Sequence, residues 1–166
     1  RFSYYIGENV GPSKSFIDLI KKSDKYDFYA FCDQDDVWDA DKLSVAIEKL
    51  NILDSSKPNL YFSNLRIVDK DLIFIRNSNT KPLINKRKYS ALIEGMGVGC
   101  TMVFNNKTKI LIENYCHNSY YMHDGFIYLL CKILGNIIYD FEPHISYRQH
   151  DNNVIGTYKN TDFYNK

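Results

Sequence analysis

The segment Phe31-Cys32-Asp33-Gln34-Asp35-Asp36-Val37-Trp38 holds three carboxylates within four residues, directly after an apolar run. Such charges repel one another, and at the end of a buried strand they are costly unless a cation neutralises them or they turn to water. An all-oxygen carboxylate set suits Mg²⁺ or Mn²⁺, held partly by protein and partly by a substrate's phosphates. The residues that point to such a site are Asp33 and Asp35, whereas Asp39 and Asp41 read as caps of a following helix.

A second constellation is Tyr147-Arg148-Gln149-His150-Asp151-Asn152-Asn153-Val154-Ile155-Gly156. Arg148 and His150 alternate along a strand end and so share one side, among amides in a loop that ends on glycine. That combination suits a diphosphate, and His150 suits a metal as well. A third is Met122-His123-Asp124. Asp124 is a helix N-cap by default, and it becomes a general base for a hydroxyl if the fold turns it toward Asp35. The Gly97-Val98-Gly99 turn before Cys100 signals by itself only a tight turn or a close backbone approach.

The elements that must position these residues alternate. Ser3 to Ile6 reads as a short strand. Ser13 to Lys22 carries Phe16, Ile17, Leu19 and Ile20 at helical spacing, with Pro12 at the start. Phe28 to Cys32 is an unbroken apolar run of strand length, as expected for a central strand of a mostly parallel sheet. Asp41 to Leu53 places Leu43, Ala46, Ile47 and Leu50 on one helical stripe. Leu60 to Val68 and Leu72 to Ile75 read as strands of a hairpin joined through residues 69–71. Residues 77–90 are polar and read as a long loop whose Lys86-Arg87-Lys88 run is a solvated face or a contact for anionic lipid. A strand over Cys100 to Phe104, a helix to Asn114, an apolar helix over Tyr121 to Leu134, and late strands at Ile137 to Tyr139 and His144 to Gln149 complete the order. This alternation means an α/β fold with helices on both faces of the sheet.

The 166 residues fit one domain, and 45% hydrophobic with 25% charged residues excludes a disordered or fibrous chain. Twenty-one basic against twenty acidic side chains leave +1, which argues against nucleic acid as the main partner. Fourteen Tyr and ten Phe give flat amphipathic surface suited to sugars, and equally suited to a Tyr-rich core. Cys32, Cys100, Cys116 and Cys131 form no C-x-x-C pair and are expected as reduced thiols of a cytoplasmic protein. No apolar run approaches the ~20 residues of a membrane span.

Taken in order, these segments resemble glycosyltransferase family 2. Asn9-Val-Gly-Pro, then Phe28 to Trp38 with Asp41-Lys42-Leu43, is similar to that family's D-x-D segment. Leu60-Tyr-Phe-Ser-Asn resembles its next sheet strand, Gly99-Cys-Thr-Met-Val-Phe-Asn its acceptor-side strand, and His123-Asp124 its E/H-D base motif. Tyr147-Arg-Gln-His-x-x-Asn-Val-x-Gly resembles a C-terminal motif of members that build bacterial surface polysaccharides, rhamnosyltransferase-like ones among them. The resemblance covers residues 5 to about 157.

It implies a GT-A (Rossmann-like) fold with a mostly parallel central sheet, forming a single glycosyltransferase domain over 1–166. The implied reaction is inverting transfer of a sugar from a nucleotide-diphosphate donor, a UDP- or dTDP-sugar, to the hydroxyl of a glycan or lipid-linked glycan. Asp124 would be the base, and Asp35 and His150 would hold Mn²⁺ or Mg²⁺. Asp33, Asp35, Trp38, Gly99, Cys100, Arg148, Gln149 and Asn153 would line the donor. The setting implied is cytoplasmic, at the inner face of the membrane, with peripheral membrane contact. The family's opening T-Y-N-like strand and D-D-x-S-x-D turn do not occur here, so the chain is expected to be a piece lacking the first nucleotide-binding strands.

Two other functions fit parts of the pattern. Asp33-x-Asp35-x-Val37 after an apolar strand fits the opening motif of haloacid-dehalogenase-like phosphatases, with Asp33 as nucleophile. The later acidic pair of that family has no convincing counterpart. A non-catalytic nucleotide-sugar-binding module would share every landmark and differ only in turnover.

Overall fold

The computed structural model describes residues 2–78, 97–115 and 122–149. Among these residues four helices and eight strands follow in the order α1 (Pro12–Lys22), β1 (Phe28–Ala30), β2 (Val37–Trp38), α2 (Lys42–Asn51), β3 (Asn59–Ser63), β4 (Arg66–Val68), β5 (Phe74–Asn77), β6 (Val103–Asn105), α3 (Asn106–Tyr115), α4 (His123–Leu134), β7 (Asn136–Asp140) and β8 (Ile145–Arg148).

The strands make two four-stranded sheets, ordered β1-β6-β3-β7 and β2-β8-β4-β5. In the first, β6 runs antiparallel to both β1 and β3, and only β3 and β7 are parallel. The sheet is therefore mixed, against the expectation of a mostly parallel one. Strand β1 also lies at an edge of the described sheet rather than in its middle. The apolar run that defines it reflects cover on its two faces, not neighbours on its two sides. Tyr29 joins the cluster of Phe16, Ile20, Phe104 and Ile127 under α1, α3 and α4, whereas Phe28 and Ala30 pack with Ala46, Leu50, Tyr61 and Val103 under α2. Helices thus cover both faces, as expected.

Three local expectations change. Residues 3–6 form no strand: Tyr5 lies against α1, its hydroxyl donating to Asp18 at 2.8 Å and its ring beneath the Lys22 ammonium. Leu60 to Val68 is two strands, one in each sheet. The chain crosses at Ser63-Asn64, where Asn64 donates to the Phe141 carbonyl and its amide oxygen accepts from the Tyr139 hydroxyl. Gly99–Thr101 is a 3-10 turn, so β6 starts at Val103 rather than at Cys100. The hairpin holds: Asp69 accepts from the amides of Asp71 and Ile73, and Leu72 takes a positive φ of 65° to close the β4–β5 turn.

The second sheet packs on Leu65, Ile67, Cys100 and Ile145, with Trp38 and Tyr147 alongside. Arg66 ties it together by bonding both oxygens of Asp39 at 2.9 Å, so Asp39 pairs with β4 instead of capping α2. Asp41 occupies the N-cap position without a side-chain cap and faces His144 Nδ1 at 3.1 Å. No helix among the described residues is long and apolar enough to cross a membrane.

Candidate functional site

An open cleft of about 1240 Å³ lies between residues 3–22 on one side and the ends of the first sheet's strands on the other. Asp33, Gln34, Asp35, Gly99, His123 and Asp124 line it, with Tyr147 at its margin. Three loops far apart in sequence converge there. The loop after β1 brings the carboxylates, the turn before β6 brings Gly99, and the first turn of α4 brings Asp124.

Asp124 is not a cap of its own helix, whose N-cap position is held by Met122. Its Oδ1 accepts from the Gly125 N–H at 2.7 Å and its Oδ2 from the Gly99 N–H at 3.2 Å. Both oxygens are thereby oriented by backbone donors while the carboxylate still lines the cleft. Beneath it, His123 is 6% exposed, with its ring stacked on Phe16 at 4.6 Å and edge-on to Phe31 at 4.7 Å. Burial holds the His123 pKa below the usual imidazole value.

The acidic loop is strained electrostatically. Burial raises the Asp33 pKa, and the charges of Asp35 and Asp124 add to the rise. Burial pushes Asp36 up to about 6, although the Arg148 N–H donates to its Oδ1 at 3.1 Å. Its other oxygen is buried without a hydrogen-bond partner. The nearby cation is Lys42, 2% exposed, whose ammonium donates to the Cys100 carbonyl and lies 4.2 Å from the Trp38 ring centroid. Burial lowers its pKa to about 8, with the Asp36 and Asp33 charges opposing the fall.

Single ligand atoms of Asp33, Asp36 and Cys100 lie within 4.8 Å of one another. Burial raises the Cys100 thiol well above its ordinary pKa, so Cys100 offers a neutral thiol rather than a thiolate. The donors that remain are carboxylate oxygens, one of them an orphaned buried atom, and this set fits a hard divalent cation. Asp39, Asp41 and His144 form a second close group, but Asp39 is engaged with Arg66 there.

Of the residues singled out in the sequence, Asp33, Asp35, Gly99 and Asp124 share the cleft. Trp38 and Cys100 do not line it; they pack in the second sheet's core under Lys42. Arg148 does not line it either, its guanidinium reaching the Lys70 carbonyl at 3.4 Å, and the Gln149 N–H extends the ladder to the Val68 carbonyl. His150, Asn153, Cys116 and the Lys86-Arg87-Lys88 run lie outside the described residues. Sequence reasoning missed the buried roles of Lys42, Asp36 and His123. No local spacing signals the cation–ring pair, because Trp38 belongs to strand β2 and Lys42 opens helix α2.

No protein-family model matches the chain. It is 31% identical over 159 residues to the dTDP-rhamnosyl transferase RfbG of Shigella flexneri, a match covering 88% of this chain and 52% of that protein. The chain spans about half the length of the curated relative it matches. The similarity relates it to a glycosyltransferase over most of its length.

Proposed function

We propose that the chain works in a metal-dependent, inverting glycosyltransferase of family 2 with a GT-A fold. It would move a sugar from a nucleotide-diphosphate donor, dTDP-linked by analogy with the relative, to a hydroxyl of a glycan or lipid-linked glycan at the cytoplasmic face of the membrane. The observation that carries this reading is the convergence on one cleft of Asp33 and Asp35, from the loop after β1, with Asp124, from the first turn of α4. Two carboxylates suit a cation and its diphosphate, and a third, held apart by amide donors, suits an acceptor hydroxyl.

In this reading Asp124 accepts the acceptor's hydroxyl proton as that oxygen attacks the anomeric carbon. The bond from that carbon to the diphosphate breaks, its electron pair leaves with the nucleoside diphosphate, and the configuration inverts. The amides of Gly99 and Gly125 keep the Asp124 carboxylate pointed while its remaining lone pairs take the proton. Asp35, with Asp33 and Asp36 beside it in the same loop, would hold Mn²⁺ or Mg²⁺, which would supply Lewis-acid neutralisation of the departing diphosphate. Lys42 supplies a fixed positive charge beneath the acidic loop.

The test is a panel of dTDP-, UDP- and GDP-sugars with Mn²⁺, given to the full-length protein with and without glycan acceptors. Melting temperature and product mass are followed, and product anomeric configuration is read by NMR. A donor-dependent shift together with an inverted glycoside is the expected result. Binding without product would favour the non-catalytic module, and release of inorganic phosphate from phosphomonoesters would favour the phosphatase.

A further inference from the structure

Gly99 entered the sequence reading as a donor contact, but its surroundings point elsewhere. It is buried in a 3-10 turn at the wall of the cleft, and its N–H donates to Asp124 Oδ2 at 3.2 Å. A Cβ built on Gly99 would stand 2.7 Å from His123 Nε2, 3.4 Å from its Cε1 and 3.6 Å from Asp124 Cβ. The first of these is closer than van der Waals contact allows, so either the turn or the ring must move. The ring has no room to give way. It is 6% exposed and lies between Phe16 of α1, stacked at 4.6 Å, and Phe31 beyond β1, edge-on at 4.7 Å. A side chain at position 99 would therefore push the turn away from α4 and lengthen the bond from its amide to Asp124. Gly125, the other donor to this carboxylate, behaves differently: a Cβ there meets nothing within 4 Å.

We propose that Gly99 is a positioning residue for Asp124. Its missing side chain lets the turn close on the His123 ring, and that closure aims the amide that fixes the carboxylate. His123 is the wall that sets the distance. The inference rests on the reading of Asp124 as the acceptor-side base, and it takes Gly99 out of the donor contacts.

The test uses the full-length protein with its donor and acceptor, comparing Gly99→Ala and the double variant Gly99→Ala/His123→Ala, beside Asp124→Asn. Misplacing a reacting group by about 1 Å costs on the order of 100-fold. Gly99→Ala is thus expected to lower kcat roughly 10- to 100-fold, with donor KM unchanged within about threefold. Shrinking His123 in the double variant makes room for the new methyl group and should recover about tenfold of the lost kcat. A raised donor KM at unchanged kcat would make Gly99 a donor contact and overturn the proposal. So would wild-type kcat in Gly99→Ala, or no recovery in the double variant. Should Gly99→Ala fail to fold, the Gly99 amide proton resonance decides. It is expected to move upfield when Asp124→Ala removes the acceptor, and an unmoved resonance refutes the contact. Undiminished turnover in Asp124→Asn would sink the base reading itself, an outcome separate from the others.

Discussion

Asp36 is the carboxylate the fold accommodates least well. Burial is the first cause of its rise from 3.8 to about 6; the charges of Asp33 and Asp35 add to it, and the Arg148 amide and the Cys100 thiol oppose it. Because the folded pKa lies above the unfolded one, ionisation is penalised in the native state. Full stability is present below about pH 4, is lost through the window from 3.8 to about 6, and the whole cost stands above it. At 1.36 kcal/mol per pK unit, the penalty at neutral pH is about 3 kcal/mol. Asp36→Asn keeps an oxygen for the Arg148 amide and carries no charge, but it places an unpaired NH₂ where Oδ2 is buried, which costs on the order of 1 kcal/mol. The variant should therefore be more stable than wild type by about 2 kcal/mol at pH 7.5, or roughly 4–8 °C in Tm for a chain of this size. Urea and thermal melts of both proteins at pH 4, 5 and 7.5 in EDTA provide the measurement. The gain should shrink steadily, vanish near about pH 4.5 and turn into a small loss at pH 4, where the uncharged acid costs little and the unpaired NH₂ still does. A destabilised variant at pH 7.5, or a gain that ignores pH, refutes the reasoning.

Lys42→Met should flatten a second pH dependence. Burial lowers the Lys42 pKa from 10.5 to about 8, so the unfolded chain binds more protons between those values and wild-type stability gains a rising term there; urea melts at pH 7.5 and 10 should show that term in wild type and not in the variant. Gly135→Ala should destabilise by about 3 kcal/mol or more in urea melts, because a Cβ there would lie 1.8 Å from the Pro58 carbonyl oxygen, backbone that cannot step aside. Mn²⁺ with a nucleoside diphosphate should stabilise wild type by roughly 3–4 kcal/mol at 100 to 1,000 times Kd. Asp35→Asn should lose that shift while its metal-free melt stays as high or rises slightly, since the repulsion on Asp33 and Asp36 is relieved, and a retained shift would free Asp35 of the metal role.

Helices were the legible part of this sequence, because each apolar stripe repeats at helical spacing and needs only one partner surface. Asp33, Asp35, Gly99 and Asp124 were singled out from the sequence, but their order along the chain does not say that they share a cleft; the fold brings them together. Strand direction was not legible: the Phe28 to Ala30 run has the same composition whether its neighbour is parallel or antiparallel, and the alternation that separates faces says nothing about edges. The break within Leu60 to Val68 was hidden because Ser63 and Asn64 are tolerated in a strand, and only the Asn64 bonds to Phe141 and Tyr139 turn them into a crossing point. The burial of Lys42 was hidden for a related reason. A lysine in the first turn of an amphipathic helix reads as solvent-facing until Trp38 and the Cys100 carbonyl, brought by the second sheet and the 3-10 turn, close over it. The Arg66–Asp39 pair joins residues whose proximity depends on the second sheet, which local pattern does not reveal.

The most direct test of the proposed chemistry is the transfer rate of Asp124→Asn in the full-length protein, read beside its donor affinity. An amide has one acceptor oxygen and so keeps one of the Gly99 and Gly125 hydrogen bonds, but it cannot take a proton from an acceptor hydroxyl. Turnover should fall by roughly two to four powers of ten, with donor affinity within about threefold of wild type, since other residues hold the donor in this reading. Turnover close to wild type would contradict the account and leave Asp124 as a residue that only joins the Gly99 turn to helix α4.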